Sequence, residues 1–493
     1  MGMMEVDRSN TGPLRKANNE EFEIEIGSDE DVAEPGLDHP MERRIVRKMD
    51  LCLLPLMCIL YFLSNLDKSN IGNAAIAGMT EDLKLVGNQY GNCVTVFFAT
   101  YITFDPIGAN LMNIVGAPVM MTGCIIGFGL ISLCTAWVKN YWQLLLIRIL
   151  LGAFEGNIYP AINMYLSVCY RREQYAIRFA WVFFAACVSS SFGGLISYGC
   201  AHIKGSLNAW QYIYIVEGAL TLAVVPFYWF GLSKNLQDSW FFNKEEREYI
   251  IRRYETMYTY NPNERFEWRQ LWLAVRDVKT WISAISLFCI DLTTFGLTIF
   301  MPIIISGMGF THIRAQLMTV PVYFFTAITF FICAYLSDKL RLRSPFIVGA
   351  CVTCAIGLAI VLGSHSNAVK FFGIFVLALG IYVNASTNCL WLSGNVSNYY
   401  KRATALGINL FSGSSSGLVA GQIFTEAEKP GYKTGLTLCM SLQIAAIFLT
   451  LLQLFCYYRL NKKKKAMLAQ SDKEELKFDR SLGDENPHFL YMY

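Results

Sequence analysis

Apolar residues along this chain fall into blocks of about 20, each long enough to cross roughly 30 Å of hydrocarbon as a helix. The pattern predicts twelve spans, at roughly 51–78, 89–112, 117–137, 141–168, 175–200, 210–232, 280–306, 315–337, 345–363, 369–396, 403–425 and 434–458. Only the connection at 233–279 is both long and hydrophilic. It mixes Lys234, Lys244, Arg247, Arg252, Arg253, Arg265, Arg269, Arg276 and Lys279 with acids such as Glu245, Glu246 and Glu248. The expected fold class is therefore an all-α integral membrane protein with 12 transmembrane helices in two six-helix halves, 41–232 and 280–458. A charged, partly helical cytoplasmic loop at 233–279 joins them, and tails at 1–40 and 459–493 flank them.

The first tail is acidic, with Glu20, Glu21, Glu23, Glu25, Asp29, Glu30, Asp31 and Glu34 close together, and too poor in large apolar groups to bury a core. It is expected to be disordered. Because it lacks the pattern of a secretory signal, the first span itself is expected to direct insertion. His39 and Pro40 then open a basic helix, Met41 to Asp50, whose Arg43, Arg44, Arg47 and Lys48 suit anionic headgroups or simply set topology. Counting Lys and Arg by side places both termini in the cytoplasm. That side collects those four bases, Arg171, Arg172, the nine of the central loop, Lys339, Arg341, Arg343, Lys401, Arg402, Arg459 and Lys462 to Lys465. The other side receives Lys84, Lys139, Lys204, Arg314, Lys370, Lys429 and Lys433.

Composition agrees with a membrane protein: 54% of residues are hydrophobic and 16% charged, with a mean hydropathy of +0.36, against about a quarter charged in soluble domains. A net charge of +3 from 41 basic and 38 acidic residues supplies no field for nucleic acid. Most of the 15 cysteines lie in apolar blocks, where Cys acts as a small hydrophobe. Cys351-x-x-Cys354 has metal spacing but no second pair, so helix packing is expected there and no metal site. The sequons at Asn384 and Asn395 lie within the tenth span or at its cytoplasmic end, where neither is expected to be modified.

Ionisable groups near a bilayer centre are expensive, by about 2.5–3.5 kcal/mol on insertion scales, and each calls for a partner or an aqueous cavity. Here they cluster. Asp67 and Lys68 are adjacent in the first span, near Asn65, Asn70 and Asn73. Arg148 and Glu155 share one face of the fourth, with Tyr159 one turn beyond. At seven residues apart Arg148 and Glu155 cannot pair directly, so a buried pair within one helix is disfavoured against an interhelical or functional role. Asp291 lies in the seventh span near Thr294 and Thr298, as a proton carrier or as a Thr-bonded wall group. In the tenth span Asn384, Asn388, Trp391 and Asn395 form a polar stripe, which either orients a ligand or bonds neighbouring helices. Small residues in Gly152-x-x-x-Gly156 and Gly413-x-x-x-Gly417 permit close helix approach.

The chain carries no His-Glu-x-x-His, no Walker loop and no nucleophile elbow, and only five histidines. An enzyme is not expected, nor ATP-driven transport by this chain alone. An anion carrier driven by an ion gradient remains, with Arg and Lys for the substrate charge, a carboxylate for the coupled proton, and no cofactor.

Two halves of six spans, with Leu336-Ser337-Asp338-Lys339 followed by Arg341 and Arg343 between spans eight and nine, resemble the major facilitator superfamily. The matching stretch after span two, Asp105 through Pro118, departs from that signature by lacking every basic residue. Leu63-Ser-Asn-Leu-Asp67-Lys68-Ser-Asn70-Ile-Gly72 and Arg148-x-Leu-Leu-Gly152-Ala-Phe-Glu155-Gly156 are similar to its anion:cation symporters, and to the fungal allantoate permease group among them. The stretches Tyr159 to Tyr175, Trp210 to Gly218, Asp238 to Lys244 and Tyr491-Met-Tyr493 resemble that group's nicotinic acid permeases. The resemblance implies proton-coupled uptake of nicotinate across the plasma membrane, feeding NAD synthesis. It implies proton coupling at Asp67 and Glu155, with Asp291 a further candidate from its position. It implies that Lys68 and Arg148 bind the substrate carboxylate; Lys68, a point charge, cannot clamp bidentately as Arg148 can. Tyr159 and Trp391 are candidates to stack the pyridine ring, and Asn384 and Asn388 to orient it. The expected partners are a small carboxylate, protons and membrane lipid. Alternatives are symport of pantothenate, biotin, allantoate or a small peptide, or a nutrient receptor that binds without transporting.

Overall fold

The computed structural model describes residues 39–256, 268–340, 342–397, 399–429, 431–470, 484 and 486–493. The acidic tail expected to be disordered lies outside the described residues. The N-terminal half comprises α1 (Pro40–Cys52), α2 (Leu54–Ala74), the one-turn α3 (Thr80–Asp82), α4 (Gln89–Val115), α5 (Ala117–Thr135), α6 (Tyr141–Glu155), α7 (Ile158–Cys169), α8 (Arg172–Cys200), α9 (Ala209–Ala223) and α10 (Val225–Gly231). The connection contributes α11 (Lys244–Thr256) and α12 (Trp268–Arg276). The C-terminal half comprises α13 (Val278–Ser306), α14 (His312–Leu340), α15 (Ser344–Gly363), α16 (Asn367–Ala378), α17 (Ile381–Gly394), α18 (Tyr399–Ile423) and α19 (Lys433–Gln470).

Twelve crossings result. Ten helical runs are long and apolar enough to span a membrane, and α4 and α18, of 27 and 25 residues, complete the set. Several crossings are interrupted where the sequence removes a backbone donor: Pro55 starts α2 after α1, and Pro226 starts α10 after α9. His39 caps α1 by accepting from the Met41 amide at 3.2 Å, with Pro40 in the first turn, as its sequence predicts. In the first crossing a π turn, Ala75–Met79, contains Gly78 at φ 101°, a conformation that a residue with a Cβ rarely adopts. The stretch beginning at Asp105, expected to leave the second span, instead continues α4 as helix to Val115 and ends at Gly116. The last crossing likewise extends past its predicted end at 458, to Gln470.

The two halves are joined most closely at the end away from both termini. A methyl built on Gly91 would lie 2.0 Å from the Gly421 carbonyl oxygen, so only glycine lets α4 and α18 approach this far. Around that contact Asn88 Nδ2 donates to Gln422 Oε1 at 2.7 Å, and Gln422 Nε2 donates to Thr95 Oγ1 at 2.8 Å. Gln316 donates to the Asn73 carbonyl at 3.3 Å, tying α14 to the first crossing. With the basic connections at the opposite, cytoplasmic end, this zipped end faces outward.

At the cytoplasmic end, fully buried Glu42 of α1 meets Arg171 at 3.1 Å and Arg253 of α11 at 3.6 Å. Glu246 meets Arg44 at 3.1 Å and Lys48 at 2.7 Å. The central connection is thereby fastened to the basic entry helix. The chain end is fastened too. Tyr491 exchanges two 2.8 Å hydrogen bonds with Asn461, and its ring stacks on Tyr457 at 5.0 Å. The Met492 amide donates to Asn395 at 2.7 Å, and the Arg343 amide donates to the Tyr493 carbonyl at 2.7 Å. Asp484 bridges Lys401 at 2.7 Å and Lys279 at 3.0 Å. Burial opposes ionisation of Asp484, but the two lysines outweigh it and hold its carboxyl below the usual carboxylate range.

Because that carboxyl is depressed on docking, its contribution is fully present above its undocked value, about 3.9, and is lost only as pH falls through the docked value. Asp484→Asn is expected to weaken the docking of residues 486–493 by about 2 kcal/mol, the scale of a hydrogen bond to a charged group. Carboxypeptidase digestion of the purified protein at neutral pH checks this, since faster trimming of the variant is expected and equal rates would contradict it.

Candidate functional site

Four helices of the N-terminal half bring the buried charges together. α2 presents Asp67 and Lys68 about two turns before its outer end, and α6 presents Arg148, Gly152 and Glu155 on its buried face. The small residues of α6 set its depth: methyls on Gly152 and Gly156 would lie 2.4 and 2.3 Å from the carbonyl oxygens of Phe97 and Tyr101 on α4. α5 and α9 close the cluster from behind with Ser132 and Tyr214.

Arg148, only 2% exposed, donates from Nη2 to the Tyr214 hydroxyl at 2.8 Å, and its Nη1 lies 3.8 Å from Asp67 Oδ2. That distance is an ion pair without a hydrogen bond. Asp67 takes its hydrogen bond from Ser132 at 2.9 Å through its other oxygen. Glu155, fully buried, accepts from Ser64 at 3.2 Å. Its carboxyl and that of Asp67 face each other within hydrogen-bonding reach. Two carboxylates can only accept, so this contact becomes a hydrogen bond when one of them carries a proton. Arg148 and Glu155 do not pair with one another, as their spacing requires.

Lys68 leaves the same turn toward α4. Its Nζ stands 4.4 Å above the Tyr101 ring, a cation–π contact, within electrostatic reach of Glu155, Asp105 and Asp67. Beside it lies an aromatic group in which Tyr159 packs on Tyr61 at 5.6 Å, on Phe179 at 6.1 Å and on Phe183 at 6.2 Å. The Tyr159 hydroxyl has no hydrogen-bond partner among the described residues. Asp291 belongs to the other half and lies against α18, where a methyl on Gly413 would come 2.6 Å from its Oδ2. The Thr294 hydroxyl bonds the Ile290 and Ile381 carbonyls, so the Thr-bonded reading of Asp291 does not hold for that neighbour.

The stripe of the tenth span is directed elsewhere. Asn384 Nδ2 reaches Gln443 on α19 at 3.5 Å. Asn388 Oδ1 accepts from Ser283 and Asn409, both at 3.1 Å. The Trp391 indole donates to the Met492 carbonyl at 2.9 Å and packs edge-on to Tyr457. Trp391 is fully buried among the C-terminal half and the docked chain end. The geometry of all three supports the interhelical alternative. Both sequon asparagines are buried in this packing.

Sequence reasoning passed over Ser64, Ser132, Tyr214, Asp105 and Glu217. The hydroxyls carry no signal, since Ser and Tyr are ordinary in spans. Glu217 did carry one, being an ionisable residue inside the sixth span, and Asp105 was assigned to a connection that is helical.

The arrangement suits reversible binding of an anion: a buried guanidinium with exchangeable partners, a second cation nearby, and carboxyls whose charge a proton can cancel. The family model described as Major Facilitator Superfamily matches residues 57–421. The chain is 65% identical over 475 residues to the high-affinity nicotinic acid transporter of Saccharomyces cerevisiae, covering 96% of this chain and 89% of that protein. It is 35% identical over 463 residues to an uncharacterized transporter of Schizosaccharomyces pombe, covering 94% and 92%. Among solved structures it is similar to a D-xylose–proton symporter, at TM-score 0.61 and 13% identity, covering 80% of this chain and 96% of that one. It is also similar to a bacterial homologue of the human lysosomal transporter Spinster, inward-facing and unoccupied, at TM-score 0.59 and 14% identity, covering 84% and 95%. Those two likenesses concern the fold alone. The chain is a multi-pass membrane transporter and belongs to the major facilitator superfamily.

Proposed function

We propose that this chain imports nicotinate together with protons across the plasma membrane, supplying NAD synthesis. The observation that carries the transport chemistry is Arg148, buried between Asp67 and Tyr214 with a second carboxyl, Glu155, facing Asp67. The substrate's identity rests on the 65% identity to the yeast nicotinic acid transporter.

The mechanism follows from competition for one guanidinium. With the outer end open, protonation of Asp67 or Glu155 from outside lets the two carboxyls share a hydrogen bond and loosens the hold of Asp67 on Arg148. The nicotinate carboxylate takes that place and can be gripped bidentately, while Lys68 adds a point charge. Tyr159 stacks the pyridine ring, with Tyr61 behind it. Asp291, across the seam on α13, is proposed as a coupling carboxyl of the second half. The proton offsets the charge of the substrate anion, so the anion does not cross the membrane uncompensated. Closure of the Gly91–Gly421 end and separation of the cytoplasmic ends then expose the site inward. Loss of the proton to the cytosol returns Asp67 to Arg148 and expels the anion. The cycle uses the proton gradient and needs no cofactor.

Labelled nicotinate uptake in cells lacking their own carrier tests this reading. Saturable uptake at acidic external pH, abolished by a protonophore and competed by unlabelled nicotinate but not by pantothenate, biotin or allantoate, is expected. Competition by one of those anions would reassign the substrate, and binding without uptake would make the protein a receptor. Arg148→Lys is expected to lower uptake efficiency roughly a hundredfold, about 2.8 kcal/mol of lost binding at 1.4 kcal/mol per decade, because a lysine cannot hold Tyr214 and a carboxylate together. Initial rates at equal surface expression check it. Glu155→Gln is expected to flatten the dependence of uptake on external pH, and an unchanged pH profile would remove Glu155 from coupling.

A further inference from the structure

Glu217 belongs to the buried cluster, yet the import cycle above gives it no task. It lies on α9 three residues after Tyr214, so the two side chains share a face. That face packs on α5 and α2. A methyl on the adjacent Gly218 would lie 2.7 Å from the Leu133 amide nitrogen, immediately after the Ser132 that donates to Asp67. Glu217 is 3% exposed, and neither of its carboxyl oxygens has a hydrogen-bond partner among the described residues. The charged and titratable groups that face it are Asp67 from α2, Arg148 and Glu155 from α6, Tyr214 from its own helix and Cys200 from α8. At the outer end of α9, Asp82 is taken up by the Trp210 indole at 2.6 Å.

A carboxylate in this position has to be neutralised by a proton or by a cation. Arg148, the cation it faces, is held by Tyr214 and Asp67. Asp67, Asp105, Glu155 and Glu217 supply four carboxyls against two cations, Lys68 and Arg148. The empty cluster needs two protons for neutrality, and a bound nicotinate anion adds to that demand. The Asp67–Glu155 contact accommodates one, and Glu217, with no donor to support a negative charge, is the place for the other.

We propose that Glu217 is a second proton-binding carboxyl of the import cycle, so that each nicotinate anion enters with two protons and one net positive charge. Its proton arrives from the external water when the outer end is open and leaves to the cytosol when the inner end is open. Tyr214 and Arg148 connect it to the substrate. The proposal rests on the reading of this site as a proton-coupled nicotinate carrier.

The test is labelled nicotinate uptake into liposomes holding the purified full-length protein, with an imposed pH gradient and, separately, a potassium diffusion potential set by valinomycin. In the native protein an inside-negative potential is expected to accelerate uptake. In Glu217→Gln, uptake is expected to stay driven by the pH gradient but to lose its response to potential, the charge moved per nicotinate falling from about +1 to about zero. Glu217→Asp, which keeps a titratable group, is expected to restore the response. A Glu217→Gln protein as sensitive to potential as the native one overturns the proposal, as does native uptake that follows the pH gradient but ignores the potential. Loss of all uptake in Glu217→Gln that Glu217→Asp does not restore assigns Glu217 to packing and overturns it as well. Native uptake indifferent to both gradients would instead overturn the proton-coupled reading itself.

Discussion

Everything in the N-terminal half is arranged around one guanidinium held inside the membrane. An unpaired Arg148 at that depth would be untenable, and the fold answers with a hydroxyl from α9 at 2.8 Å and a carboxylate from α2 at 3.8 Å. The second distance is the informative one. A carboxylate that neutralises without hydrogen bonding is a partner that can be exchanged, whereas a tight bidentate pair would be a structural rivet. Asp67 remains available because Ser132 satisfies its other oxygen, and Glu155 waits beside it for a shared proton. An anion carrier needs this condition: a positive charge permanently in place, balanced by a negative one that a proton can remove.

The same helix links this site to the outer gate. Five residues beyond Asp67, Gly72 lies so close to α13 that a methyl there would come 2.1 Å from the Ile299 carbonyl oxygen, and the Asn73 carbonyl accepts from Gln316 of α14. The π turn at Ala75–Met79 with its left-handed Gly78 follows directly. A change in what Asp67 holds is therefore felt one to two turns away, at the contact between the halves. π turns inside α-helices frequently mark functional sites. The C-terminal half contributes a firmer body, with Asn384, Asn388, Trp391 and the docked chain end bonding its helices to one another. Asymmetry between a charged, adjustable half and an amide-bonded half emerges from the side chains alone.

The architecture was legible in the sequence because hydrocarbon thickness and the positive-inside rule act on local stretches of chain. Asp67, Lys68, Arg148 and Glu155 were legible for the same reason, since a charge inside a span is visible without knowing its neighbours. What faces what was not. The tenth-span stripe reads identically whether its amides face a ligand or α19, and only the packed structure brings Gln443 to Asn384 and the chain end to Trp391. Tyr214 and Ser132 were hidden because their importance lies in distance rather than in type. Asp105 was misplaced because the stretch it opens was matched to a loop signature, whereas α4 continues through it.

The central claim is that the substrate carboxylate and a proton enter one site together. Calorimetric titration of the purified protein with nicotinate, repeated in buffers of different ionisation enthalpy, measures that linkage without relying on transport. Proton uptake on nicotinate binding near neutral pH, reduced in Glu155→Gln, is the expected result. Binding with the same enthalpy in every buffer would contradict it, because it would mean that Arg148 takes the anion without any carboxyl of the cluster changing its charge.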